Sequence, residues 1–397
     1  MIEIAEIQVV DVGGKSRISS TITVDADAQP LWFEVDHCFH QYLCYERSDA
    51  YVLGLLHYAM MHGHDISFST PMTRRLYEQL TEQFLPAYYK ANHLNGGTPI
   101  RLKGPLAEEI AHCGDAGIGA GVSCGVDSMH VFAVHPEITH GCIWNLHGET
   151  SRDSAETKEL GWNNLKLQAE KFTSAIGIPL IVGNTNFDRG VFPDLKFDGS
   201  TTYGNLFCIF ALQKLWQKYY VASGYDIDDF GLTRGVREDP AHYEWVLFAM
   251  VSLSSVSVRL DGVAQNRVEK VGDLINYEPS YHYLNVCWHI SEEHKNCSCR
   301  CPKCMRTMID IDAWDSLDKY REVFDVDYYR THFHEYIAEI YRGIIQKNSF
   351  STEVVPYFAK KDVRLSVKIK AWLIVVRKIV RKVLRGGKTS KSFSSRG

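Results

Sequence analysis

Ala116-Gly-Ile-Gly-Ala-Gly-Val122, running without a break into Ser123-Cys-Gly-Val-Asp-Ser128, is the stretch on which the fold turns. Its first part is a short apolar run of the kind expected of a buried parallel strand. Met129 to Val134 can start a helix at once, so strand, tight loop and helix N-terminus follow one another. That order turns backbone amides and the positive end of a helix dipole toward an anion, and phosphate fits it physically. Gly121 and Gly125 let the backbone approach a ligand closely, and the hydroxyls of Ser123 and Ser128 add donors. The loop has no Gly-Lys-Ser/Thr ending, which sets it apart from the usual mononucleotide-kinase phosphate loop.

Working outward, short apolar runs continue to alternate with longer amphipathic ones. Gly141 to Leu146, Leu180 to Asn184 and Tyr219 to Ala222 read as further strands, and Ser154 to Ile176 and Tyr203 to Lys218 as helices, the first closed by Gly177 and Pro179. This alternation implies an α/β fold with a doubly wound parallel sheet and ligands at the carboxyl ends of its strands. Upstream, Glu3 to Val12, Ser16 to Val24 and Pro30 to Val35 are strand-like. Tyr51 to His62 and Thr73 to Ala91 carry helical periodicity, and Asn95 to Thr98 reads as a loop. These assignments place an accessory α+β domain at 1–112, the α/β domain at 113–286, a cysteine-bearing helical region at 287–350 and a basic amphipathic tail at 351–397.

The 397 residues carry a net charge of -5, with 45% hydrophobic and 23% charged residues, the composition of a globular protein rather than a disordered or fibrous one. That balance weighs against nucleic acid as the main partner. No signal-like N-terminus and no run of 18 apolar residues is evident, so a cytoplasmic location is expected. Eleven cysteines in such a chain point to metal where they cluster. Five of them lie between Cys287 and Cys304. Cys301 and Cys304 form a Cys-x-x-Cys pair, and Cys287 can supply a distant ligand. Cys297 and Cys299 compete for a fourth place; Cys297 is favoured, because Cys299 stands only two residues from Cys301. Tetrahedral zinc suits four such thiolates, with a redox pair or an iron-sulfur cluster as alternatives.

Ser123-Cys-Gly-Val-Asp-Ser128 resembles the Ser-Gly-Gly-x-Asp-Ser loop of the PP-loop ATP pyrophosphatases. The resemblance implies the HUP/PP-loop type of sheet and ATP, with its Mg2+, as cofactor. It also implies cleavage between the α and β phosphates to leave an adenylylated substrate. On that reading Asp127 and Ser128 are catalytic, and Gly121, Ser123, Gly125, Val126, Asp127 and Ser128 hold the nucleotide. Cys124 replaces the first paired glycine, a neutral change at negative φ and a costly one in a left-handed conformation. Together with the cysteine cluster and Arg306 just past it, the loop is similar to one branch of the family, the 7-cyano-7-deazaguanine synthases. Those enzymes use ATP to turn a carboxylate into an amide and then a nitrile. The similarity covers roughly 115–310, with Ser298 standing where the strict ligand spacing would put cysteine.

Other residues are candidates by position. Asn184 and Asn186, at the end of a strand, can approach adenine or ribose, and Asp226 or Asp228, after the fourth strand, can hold magnesium or substrate. Lys270, in Arg267-Val-Glu-Lys270, can neutralise phosphate charge as adenylylation proceeds. In the tail, Ala371 to Leu384 is apolar and cationic together, which suits either an anionic membrane surface at the inner face or packing on protein, as in a homodimer. Three functions compete: an amide-forming ligase acting on a small-molecule or protein-borne carboxylate, a tRNA-thiolating enzyme, and a nucleotide-sensing component of a larger system.

Overall fold

The computed structural model describes residues 1–146, 155–187, 197–233, 239–287, 296, 301–346, 349–358, 361 and 363–384. The chain divides into two compact units at Asn266/Arg267. In the first unit the strands are β1 (Ile2–Ile4), β2 (Gln8–Val12), β3 (Lys15–Val24), β4 (Asp27–Asp36), β5 (Ile66–Phe68), β6 (Met72–Thr73), β7 (Leu102–Lys103), β8 (Leu106–Ala107), β9 (Gly117–Gly121), β10 (His140–Asn145), β11 (Leu180–Thr185), β12 (Trp216–Ala222) and β13 (Ser257–Asp261). Its helices are α1 (Asp49–His62), α2 (Arg74–Glu78), α3 (Leu85–Ala91), α4 (Val126–Val134), α5 (Ala155–Ala175), α6 (Phe197–Ala211) and α7 (Glu244–Val251), with a π-helical stretch, Gln79–Phe84, joining α2 to α3.

The glycine-rich run becomes β9, the middle of five parallel strands in the order β13-β12-β9-β10-β11. The glycines of this core have a packing reason. A Cβ on Gly119 would come within 2.7 Å of the rings of Trp216 and Tyr219, and one on Gly183 within 2.5 Å of Phe33. Large aromatic side chains therefore lie directly over neighbouring backbone, which only glycine permits. The five-strand order reverses direction between β9 and β12, and a crevice outside the carboxyl ends of the strands opens at such a switch point.

The N-terminal strands do not form a separate sheet. β4 pairs antiparallel with β11, Asn184 opposite Glu34 and Thr185 opposite Phe33, so the meander continues the parallel strands into one mixed eleven-stranded sheet. One hydrophobic core runs beneath both parts, from Ile2 and Ile18 to Phe207 and Leu247. Helix α1 packs on α6: Gly54 faces Phe187 and Phe207 so closely that a Cβ there would stand 3.0 Å from the Phe187 ring, and Tyr51 meets Phe207 edge-on at 5.2 Å. Leu53, Leu55 and Leu56 are wholly buried in α1, each stabilising by about 1.5–3 kcal/mol. Gly63, at φ 68°, ends the helix in the left-handed conformation that glycine adopts freely.

One expectation needs correction, and one strand carries no expectation at all. The helix read from Tyr203 to Lys218 stops at Ala211, and Trp216 already belongs to β12. Leu206 to Leu212, Leu215 and Trp216 are all buried, so no polar face marks where helix gives way to strand. The fifth parallel strand, β13, has only Ser257-Val-Arg-Leu-Asp261 to signal it and was not foreseen.

The second unit is helical: α8 (Arg267–Leu274), α9 (Pro279–Tyr283), α10 (Pro302–Ala313), α11 (Val326–Thr331), α12 (Phe333–Ile345), α13 (Ser349–Glu353), α14 (Val355–Phe358) and α15 (Leu365–Leu384). Trp314 ties its start to its middle. The indole Nε1 donates to the Val268 carbonyl at 2.8 Å, and the ring lies where a Cβ on Gly272 would be 2.6 Å away. The basic tail forms α15 and rests on α12 through buried Ala371 and Val375, with Lys378 bonded to Glu339 at 2.6 Å. On the same helix Ile369, Trp372, Leu373, Val376 and Ile379 are about half exposed. No described helix is long and apolar enough to cross a membrane.

Candidate phosphate loop and cysteine corner

Residues 121–128 close the carboxyl end of β9 and open α4, the placement at which a sheet of this order offers a ligand site. Gly125 is the N-cap and has no side chain to cap the first-turn amides, which no preceding carbonyl of the helix reaches. Ser123 is exposed, and Gly121, Gly125 and Asp127 are partly so, whereas Val126 and Ser128 are buried. Val126 can therefore meet a ligand only through its backbone. Ser128 staples the loop: its hydroxyl donates to the Gly121 carbonyl at 2.8 Å and accepts from the Ser123 amide at 3.0 Å. The Ser123 hydroxyl accepts from the Gly125 amide at 3.3 Å. The loop thus holds its shape through its own bonds.

Cys124 adopts φ +56°, so the position occupied by glycine in the resembled motif is left-handed here. A side chain costs about 1–2 kcal/mol in that conformation. The sulfur is fully buried, and burial pushes the thiol pKa up to about 12, so it is neither exposed nor ionised. Behind the loop α4 is fixed by a group that sequence spacing does not signal. His130 Nδ1 lies 3.1 Å from Asp261 Oδ2 and His135 Nε2 2.8 Å from Asp261 Oδ1, and the His135 ring stacks on Tyr220 at 3.8 Å. Burial raises the Asp261 carboxyl, but the hydrogen bonds from the two histidines outweigh it and hold the pKa below the ordinary range. An ionised Asp261 at the end of β13 thereby anchors the helix whose first turn forms the loop.

The other candidates are placed variously. Asn186 spends its side chain on β4, accepting from the Trp32 amide at 2.9 Å and donating to the Pro30 carbonyl at 2.7 Å. Asn184 lies between Asn145 and Glu34, each at 3.4 Å. Asp226 caps the 3-10 turn Ile227–Asp229 by accepting from the Asp228 amide at 3.0 Å. Lys270 is buried on α8 in the second unit.

In that unit Cys287, Cys301 and Cys304 bring three sulfur atoms within 4.8 Å of one another. Cys301 and Cys304 stand 3.2 Å apart and Cys287 and Cys301 3.9 Å, too far for disulfides, whose sulfurs are about 2.05 Å apart. The separations straddle the roughly 3.8 Å edge of a tetrahedron with about 2.3 Å metal–sulfur bonds. Cys301 is also the N-cap of α10, accepting from the Cys304 amide at 3.4 Å, with Pro302 at the first helical position. The donor set fits a tetrahedral thiolate-bound ion, and Cys297 and Cys299 lie outside the described residues. A residue with no motif supports this corner from within. Buried Asn296 accepts from the Val286 amide at 2.8 Å and donates to the carbonyls of Leu284 and Val323, both at 2.9 Å. It fixes the strand of chain that delivers Cys287, and only its lone position beside the cysteine run hints at that role. On α8 and α10, Arg267 donates to Thr307 at 3.1 Å and faces Asp310 at 3.5 Å. No protein-family model, no curated protein and no solved structure matches the chain.

Proposed function

We propose that the chain is an ATP-consuming enzyme that adenylylates a carboxylate or amide oxygen and passes it to a nitrogen nucleophile. The observation that carries this reading is the loop 121–128, set between the central parallel strand β9 and the N-terminus of α4 at the switch point of the sheet. The substrate oxygen attacks the α phosphorus as the bond to the bridging oxygen of the β phosphate breaks, and pyrophosphate leaves. The nitrogen nucleophile then displaces AMP from the activated carbon. First-turn amides of α4 and the Ser123 hydroxyl take up the charge that gathers on the departing pyrophosphate. Asp127 stands in that first turn, where it can order ATP and its Mg2+. The doubly wound order of the five parallel strands is compatible with a sheet of the HUP/PP-loop type and supports the same reading.

The cysteine corner would hold zinc in a structural role, since three thiolates from two segments leave little freedom to a reacting group. Sulfur transfer is the weaker alternative, because it calls for an accessible thiolate. Cys124, the cysteine of the loop itself, is buried, with its thiol pushed up to about 12 by desolvation, and exposed Cys38 stands outside the loop, in the 3-10 helix after β4. One observation keeps a non-cleaving nucleotide sensor in view, the strained Cys124 in the loop itself. The deciding experiment measures AMP and pyrophosphate released from ATP by the wild type and by Asp127→Ala. Release by the wild type, cut at least about a hundredfold in the variant with an unchanged melting temperature, is the expected result. Equal release by both would remove the loop from catalysis, and nucleotide binding without release by either would establish the sensor.

A further inference from the structure

The hairpin at the start of the chain builds a second cluster of ligand atoms. Asp11 and Ser16 are cross-strand partners in β2 and β3, brought round by Gly13 and Gly14 at φ +57° and +84°, and Ser16 is in turn opposite Val35 in β4. Two residues beyond Val35 the chain enters the 3-10 helix His37–Tyr42. Three residues make one turn of such a helix, so His37 and His40 fall on the same face. Sheet register and helix pitch together deliver one carboxylate and two imidazoles to one point.

The distances are those of a coordination site. Asp11 Oδ1 lies 3.1 Å from His37 Nδ1 and 3.7 Å from His40 Nδ1, and the three ligand atoms are all within 4.8 Å of one another. Donors at about 2.0–2.2 Å around one tetrahedral ion stand about 3.3–3.5 Å apart, a separation the two observed values bracket. Ser16 supplies an independent observation. It is wholly buried, and its hydroxyl is aimed into the cluster, 3.0 Å from Asp11 Oδ1 and 2.9 Å from each histidine Nδ1. A hydroxyl has one proton to give. Ser16 can spend it on Asp11, orienting the carboxylate as outer partners of metal ligands do, while the two imidazole nitrogens turn their lone pairs to a cation. The Asp11 carboxyl is held below its ordinary range, chiefly by the Ser16 hydrogen bond.

We propose that Asp11, His37 and His40 bind a divalent transition ion at the end of the β2–β3 hairpin, with Ser16 as the residue that positions Asp11. Two imidazoles and one carboxylate suit zinc, cobalt, nickel or copper and do not suit magnesium or calcium, which prefer oxygen donors throughout. The three side chains are roughly half exposed or more, so the ion would keep an open side toward solvent.

The test uses the full chain without an affinity tag, carrying whatever metal it retains on purification, titrated calorimetrically with Zn2+ and separately with Mg2+. One further equivalent of Zn2+ is expected, with no heat from Mg2+. His37→Ala and His40→Ala should each weaken that binding at least about tenfold, and Cu2+ bound at the site should show two nitrogen couplings in the wild type and one in each variant. Asp11, His37 and His40 lie on the surface, so circular dichroism should show the variants folded. A triple variant, Asp11→Asn with His37→Ala and His40→Ala, that still takes up the further equivalent like the wild type would overturn the proposal. A wild type that takes up no further Zn2+ and retains no more metal on purification than the triple variant would overturn it equally. Thiolate-to-metal absorption with Co2+ reports the cysteine corner separately, so failure at either site is visible alone.

Discussion

The loop at the end of β9 and the cysteine corner at the start of α10 are both short turns that deliver small polar groups to a helix N-terminus, yet they close in different ways. The loop is complete in itself: Ser128 bridges Gly121 and Ser123, Ser123 accepts from Gly125, and Asp261 holds the helix behind it through two histidines. The corner gathers three sulfurs from two segments, and the Cys304 amide reaches the Cys301 sulfur at a long 3.4 Å. Asn296 holds the segment before Cys287, but weak sulfur contacts alone do not offset the cost of bringing that segment onto α10. A site closed by its own hydrogen bonds can wait for its ligand, whereas one closed by thiols depends on what it binds. The loop therefore reads as a place for a passing ligand, and the corner as a place for a resident one.

The largest effect expected from this contrast is on the second unit. Chelating the metal, or replacing fully buried Cys304 by serine, should destabilise the helices around the corner by at least about 3 kcal/mol. Hydrogen exchange should quicken across α10 and the segment before Cys287, while β9 to β12 keep their protection. If exchange in α10 stays as slow with chelator as without, the corner closes unaided and the contrast collapses.

The first unit should answer to pH. Glu244, at the start of α7, is buried and accepts from the Thr202 hydroxyl at 2.6 Å; burial raises its carboxyl from 4.5 to about 7. A raised folded-state value means that the native state binds the proton more tightly than the unfolded chain. The associated stability is complete below about pH 4.5 and is lost as pH climbs through 7, amounting to about 3 kcal/mol. Glu244→Gln keeps an acceptor for Thr202 and carries no charge. Its denaturation midpoint should show a weaker fall between pH 5 and pH 8 and should exceed the wild type at the upper end. Parallel pH profiles for the two proteins would show that Glu244 is already protonated or solvated.

What could be read from residues alone follows the range of the interactions. The run 116–128 carries its strand, loop and helix within thirteen consecutive residues, and Cys301 and Cys304 meet because one helical turn joins them. Local chemistry suffices in both. Asp261 reaches His130 across 131 positions, and the Asp11, His37 and His40 cluster exists only because the β2–β3 and β3–β4 registers align Asp11, Ser16 and Val35. A shift of one residue in either pairing would disperse it. The break between α6 and β12 was hidden for another reason, since a segment buried on every side has no periodicity to read. The continuous sheet across residues 1–185 rests on two residue pairs between β4 and β11, which no local pattern announces.

The smallest effect sharpens the contrast from inside the loop. Cys124 is left-handed and buried, so two opposite contributions meet at one residue. Cys124→Ala removes the sulfur and keeps the strained backbone. Cys124→Gly removes the sulfur and relieves the strain. At an ordinary helical or extended position glycine is worse than alanine by about 0.5–1 kcal/mol, because it loses more chain entropy on folding. At a left-handed position the order reverses, and the glycine variant should be the more stable of the two by a similar amount. Denaturant titration of both variants measures that difference, in which the lost sulfur largely cancels. A loop that keeps its shape without ligand must hold residue 124 left-handed in the free protein, so glycine should win there. If alanine is the more stable, the free loop has relaxed out of this conformation, and it too depends on a ligand for its form.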